Sequence, residues 1–185
     1  AAWDARDKKT KEVIRKGGNV RNVLVSDFIA TTEGRILINA NDGHEISNVS
    51  LRNIQLKYPY IENPELYGPE ATSNQFLGID SVGMKAKAAI VVSNVDKFSL
   101  DGLNIIWNQT DTIPEEWKQP ERIENGKFDK VHYPTYDQVK MAEFSALYGS
   151  NVQGGYIFAP LAESSDSKLK TFQLRQSNLK VFTQK

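Results

Sequence analysis

The stretch Ile46-Ser-Asn-Val-Ser-Leu-Arg-Asn-Ile-Gln-Leu56 carries the hydrophobic pattern around which the chain is organised. Val49 and Leu51 alternate as a half-buried strand does, then the phase slips by one residue and Ile54 and Leu56 take the apolar positions. A flat strand with such a slip would turn its second half outward, so the pattern predicts a corner at Asn53. The same arrangement occurs in residues 22–30, with Val23 and Val25, a corner at Asp27, then Phe28 and Ala30. It occurs again in residues 97–105, with Phe98 and Leu100, a corner at Gly102, then Leu103 and Ile105. Asp, Asn and Gly enter the left-handed backbone region at the least cost, so the corner residues agree with the geometry the pattern demands.

Val23 and Val49 are 26 residues apart, and Val49 and Phe98 are 49 apart, close to two such periods with an insertion between them. A period in the twenties built from short strands and polar corners predicts a β-solenoid. Leucine-rich repeats share the period, but their leucine ladder is missing. At these residues the chain resembles the pectin-lyase-like right-handed parallel β-helix proteins, whose coils read like Ile-Ser-Asn-Val-x-Leu-x-Asn-Ile. The resemblance implies an all-β chain, a right-handed parallel β-helix with two long loop insertions.

Coils are expected over residues 19–185, with the insertions at about 57–84 and 108–140. Both insertions are rich in Pro and Tyr, with Asn in each and Trp117 in the second, the composition of ordered loops rather than flexible linkers. Phe76-Leu-Gly-Ile79 reads as a short intervening strand. Within the coils, Ile36 and Ile38 should face inward, with Arg35 and Leu37 on the outer surface. Strands are also expected at residues 144–148, 170–174 and 178–182, with Asn151-Val152 echoing Asn22-Val23 and a loose corner at Gly154-Gly155. Residues 1–18 form a separate N-terminal segment in which Asp4 to Lys16 are mostly charged, ending at Gly17-Gly18. It reads either as a helix stopped by those glycines, covering the open first coil, or as a surface loop of a longer protein; the thin apolar stripe favours the loop.

Lysine plus arginine and aspartate plus glutamate number 23 each, which gives no reason to expect nucleic acid or an anionic membrane as partner. No apolar run approaches membrane-spanning length. Cysteine is absent, which excludes disulfides and thiolate metal sites without choosing a compartment. No phosphate-binding glycine loop, paired metal-ligand spacing or nucleophile elbow is present, and no cofactor or metal is expected. Of two glycosylation sequons, Asn48-Val-Ser50 falls inside a predicted strand and Asn108-Gln-Thr110 beside a loop.

The stretch Glu33-Gly-Arg-Ile-Leu37, the turn Asn41-Asp-Gly-His-Glu45 and the coil beginning at Ile46 are similar in order and spacing to glycoside hydrolase family 28, the polygalacturonase group. The match covers about 35 residues. It implies that Arg35 is a substrate-binding arginine that pairs with a sugar carboxylate, while Leu37 occupies the position of the family's lysine partner. Arg35, Asp42 and His44 are the candidate substrate-binding residues. The catalytic residues are left unassigned, because the family's carboxylate motifs precede the arginine strand and none is present here. Nearby acids, Glu33, Asp42 and Glu45, read equally well as surface charges. The resemblance thus implies the C-terminal portion of an extracellular or periplasmic carbohydrate-active protein, a glycosidase on pectic or related polysaccharide, inactive as this stretch alone. The alternative is a non-catalytic glycan-binding or structural module. Its partners would be a polysaccharide or oligosaccharide and, at the open N-terminal end, upstream coils or a second copy.

Overall fold

The computed structural model describes residues 5–7, 9–32, 35–40, 43–58, 86–107 and 144–182. The two insertions, the strand expected at residues 76–79, Glu33, Asp42 and the sequon at Asn108 lie outside them. Among the described residues there is no helix. The strands are β1 (Ala5–Arg6), β2 (Val13–Arg15), β3 (Val20–Thr31), β4 (Ile36–Asn39), β5 (Ile46–Tyr58), β6 (Ala88–Trp107), β7 (Ser145–Phe158), β8 (Phe172–Arg175) and β9 (Asn178–Phe182). Strands β3 to β9 join one sheet, and all of its pairings are parallel. The chain is therefore all-β and mostly parallel.

Register follows the repeat. Val23, Val49 and Phe98 lie opposite one another, as do Val25, Leu51 and Leu100, and then Phe28, Ile54 and Leu103. The 26-residue spacing brings like residues onto neighbouring strands, so these three inward rows are apolar across β3, β5 and β6. Phe98, Leu100, Ile90, Leu147 and Ile157 at its centre are fully buried, each stabilising the fold by roughly 1.5–3 kcal/mol. Ile36 and Ile38 pack on this core, and Leu37 on the opposite face joins a second small cluster with Ala86, Ala88, Val91 and Tyr148.

The corners at Asp27, Asn53 and Gly102 have φ of 53°, 48° and 80°, and they share one row. Hydrogen bonding of the ladder continues on both sides of them, so β3, β5 and β6 each run on as one bent strand. Asn53 Nδ2 donates to Asp27 Oδ1 at 2.7 Å, which satisfies two polar side chains at a bend that carries no apolar group.

Two further rows of bends are present, and the corner expected at Gly154-Gly155 falls in the first of them. Asn22, Asn48, Lys97 and Gly154 have φ between 54° and 80° and stand in one row, where Asn48 Nδ2 donates to Asn22 Oδ1 at 2.7 Å. Asn94 and Asn151 form the other, with Asn151 Nδ2 donating to Asn94 Oδ1 at 2.9 Å. Asn151-Val152 therefore aligns with Asn94-Val95, not with Asn22-Val23, because Val152 pairs with Val95. The amide of the Asn48 sequon is itself part of this ladder.

The N-terminal segment corrects the helix expectation: β1 and β2 form an antiparallel hairpin in a sheet of their own. Asp7 accepts the backbone N–H groups of Lys9 and Thr10 at 2.7 and 2.8 Å, and Lys11 closes the turn with φ 64°. An aspartate that captures its own following amides offers the backbone an alternative to a helix. Those two amides also hold the Asp7 carboxyl below its ordinary value.

Where the insertions leave and rejoin the sheet, Tyr58 stacks on Trp107 with ring centroids 5.0 Å apart, and Phe144 lies 6.4 Å from Trp107. Trp107 Nε1 donates to the carbonyl of Glu163 at 3.0 Å. These rings pack on one another where the two insertions leave the sheet and the second rejoins it. Tyr60, Tyr67, Trp117, Tyr133 and Tyr136 of the insertions lie outside the described residues.

Candidate functional site

Parallel register stacks outward positions as well as inward ones. Arg21, Ser47, Asp96 and Gln153 form one outward row across β3, β5, β6 and β7. With strands about 4.8 Å apart, the row spans roughly 14 Å. The adjoining bend brings Asn94 and Asn151 alongside it, and the turn between β4 and β5 adds His44 and Glu45. Together these line an open cleft of about 550 Å³.

The cleft is polar, and its groups are organised. Glu45 accepts from the guanidinium of Arg21, and its backbone N–H donates to Asn19 Oδ1 at 3.0 Å. Arg21 and Glu45 are 59% and 62% exposed, so their pairing fixes orientation and contributes about 0–1 kcal/mol at most. Gln153 Nε2 donates to Asn151 Oδ1 and to the carbonyl of Gln176, at 3.3 and 3.2 Å. Fixed amides, two acids, an arginine and an imidazole on an open floor offer both donors and acceptors, which suits a ligand with many hydroxyl groups.

Of the three residues singled out from sequence, His44 lines this cleft and is half-buried. Arg35 does not line it. Its guanidinium donates to the carbonyl of Ala86, two residues before β6, and it is half-buried. Asp42 lies outside the described residues. Sequence reasoning passed over Arg21, Asn94, Asp96 and Gln153, although the 26- and 49-residue spacings alone align Arg21, Ser47 and Asp96.

Among the described residues no group of three or more His, Cys, Asp or Glu side chains could hold a metal ion. Nor is any helix there long and apolar enough to cross a membrane. No family model, curated protein or solved structure matches the chain.

Proposed function

We propose that the chain is a stretch of right-handed parallel β-helix that binds an extracellular or periplasmic polysaccharide along its outer face, in the cleft lined by Arg21, His44, Glu45, Asp96 and Gln153. Three rows of left-handed bends in an all-parallel ladder support the helical course. The hand follows from the strong preference of parallel crossovers for right-handed connection. The observation that carries the binding reading is the outward polar row, continuous over four strands and flanked by hydrogen-bonded amides. A row that repeats at strand spacing matches a repeating polymer better than a compact small molecule. Further coils, or a second copy, would continue the row beyond β3.

Isothermal titration calorimetry with uncharged rhamnose-containing and other neutral oligosaccharides tests this. Binding of at least one is expected, weakened about tenfold or more by the double substitution Asp96→Ala with Gln153→Ala, the loss of two or more ligand hydrogen bonds. If no oligosaccharide produces heat, or the double variant binds as well as the parent, the cleft is not the site.

Glycosidase activity is the second reading, favoured by one observation: Glu45 and Asp96 line the same cleft. Hydrolysis of a glycosidic bond needs two carboxyl groups free to play acid and base or nucleophile, and Glu45 is engaged by Arg21. Release of reducing ends by the purified chain, abolished by Asp96→Asn, would establish the hydrolase reading over the binding one.

A further inference from the structure

A second cleft, also about 550 Å³, lies on the face of the sheet that carries Leu37. Leu37, Val91, Tyr148 and Gln173 form one outward row across β4, β6, β7 and β8. At its far end Tyr148 and Gln173 meet Lys168, Lys170 and Arg175, and among the described residues no carboxylate lines the space. Charge is unevenly divided to match. The last 19 residues contain five lysines and arginines and no acid, whereas the preceding 166 contain 18 basic residues against 23 acidic ones.

The cleft is held in shape by hydrogen bonds. Asp166 Oδ1 accepts the N–H of Lys168 at 2.8 Å, and its carbonyl accepts the N–H of Leu169 at 3.0 Å. Ser164 Oγ donates to the carbonyls of Asp166 and Leu169 at 2.6 and 3.2 Å. Ser145 Oγ donates to the carbonyl of Lys170 at 2.8 Å and accepts from Gln173 Nε2 at 2.7 Å. The backbone carrying the two lysines is thus tied to β7 and β8 before any ligand arrives, which lowers the ordering cost of binding.

We infer that this cleft binds an acidic sugar unit, a uronate within an oligosaccharide, with Lys168, Lys170 and Arg175 holding the carboxylate and the Tyr148 ring facing the apolar side of the pyranose. Three cations with no acid among them call for an anion. The half-buried ring and the amide beside them call for a flat-faced, hydroxylated body attached to it. A polynucleotide would use the same charges, but the cations occupy one cleft rather than a stripe, and the chain as a whole is neutral. The family resemblance placed uronate recognition at Arg35 and the position of Leu37; this cleft lies three strands further along the Leu37 row.

Calorimetric titration of the whole chain with trigalacturonate, maltotriose and sodium sulfate tests the inference. Trigalacturonate should bind, maltotriose should not, and sulfate should compete only weakly. Each of Lys168→Ala, Lys170→Ala and Arg175→Ala should weaken trigalacturonate about fivefold to tenfold, and raising the salt should weaken it further. All three side chains project from surface positions, and an unchanged melting curve will show that the variants fold. Equal binding of maltotriose when Asp96→Ala and Gln153→Ala disable the first cleft, sulfate as strong as trigalacturonate, tighter binding of single-stranded DNA, or full affinity in the chain carrying all three of Lys168→Ala, Lys170→Ala and Arg175→Ala would each overturn it. The Asp96→Ala, Gln153→Ala double variant should retain trigalacturonate binding here, so the failure of either cleft is seen separately; loss of all binding in that variant would assign the uronate to the first cleft instead.

Discussion

β3 and β6 contain the same hydrophobic arrangement and the same left-handed bends, yet they live in different surroundings. Leu100 and Leu103 of β6 are 0% and 2% exposed, while Val25 and Phe28, the residues in the same rows of β3, are 36% and 41% exposed. β6 is paired on both sides, with β5 and β7, whereas among the described residues β3 pairs only with β5. Local sequence sets where a strand bends and which way its side chains point. Burial is a property of its neighbours, so identical patterns contribute very different amounts of stability.

The sharpest way to break the interior ladder is Gly155→Ala. Gly155 has φ 105°, and a Cβ there would lie 1.7 Å from the carbonyl oxygen of Phe98, a backbone atom that cannot turn aside. The substitution should cost at least about 4 kcal/mol in urea unfolding; a loss under about 1 kcal/mol would mean that β7 does not approach β6 as described.

The pair Phe98→Ala and Phe28→Ala measures the contrast between the two regions directly. Truncating Phe98, fully buried in the central row, should cost about 3–5 kcal/mol, and truncating the half-open Phe28 about 1 kcal/mol. Equal losses would show that β3 is covered in solution. Smallest is the bend itself: Asn53→Ala should lose about 1–2 kcal/mol from left-handed strain and the missing bond to Asp27, and Asn53→Gly about half of that, since glycine restores the backbone but not the bond. Glycine no better than alanine would remove backbone strain from the explanation.

Much of the parallel arrangement was legible because each bend leaves a mark in the hydrophobic spacing. Apolar residues two apart become three apart, with a left-handed residue just before the second, as at Leu51 to Ile54 with Asn53. The same mark stands at Ile46 to Val49 with Asn48 and at Val92 to Val95 with Asn94. The hairpin of β1 and β2 was harder to see. Its charged residues carry no period of two, and the deciding interaction is the capture of two amides by Asp7. The first cleft was half legible: His44 and Glu45 stood out beside a turn, but Asp96 and Gln153 become their neighbours only when 49- and 57-residue separations are folded into adjacent strands.

By itself the sequence determined the strand class, the inward and outward alternation and the bend at Asp27, Asn53 and Gly102, since these depend on side-chain period and on which residues tolerate positive φ. Only the tertiary structure decided what stands beside what: Arg35 against the carbonyl of Ala86, Leu37 in a row that ends at Gln173, and lysines 168 and 170 next to Tyr148. Periodicity along a chain is a local quantity, whereas a binding surface on parallel strands is assembled at right angles to the chain, by a register that no single strand contains.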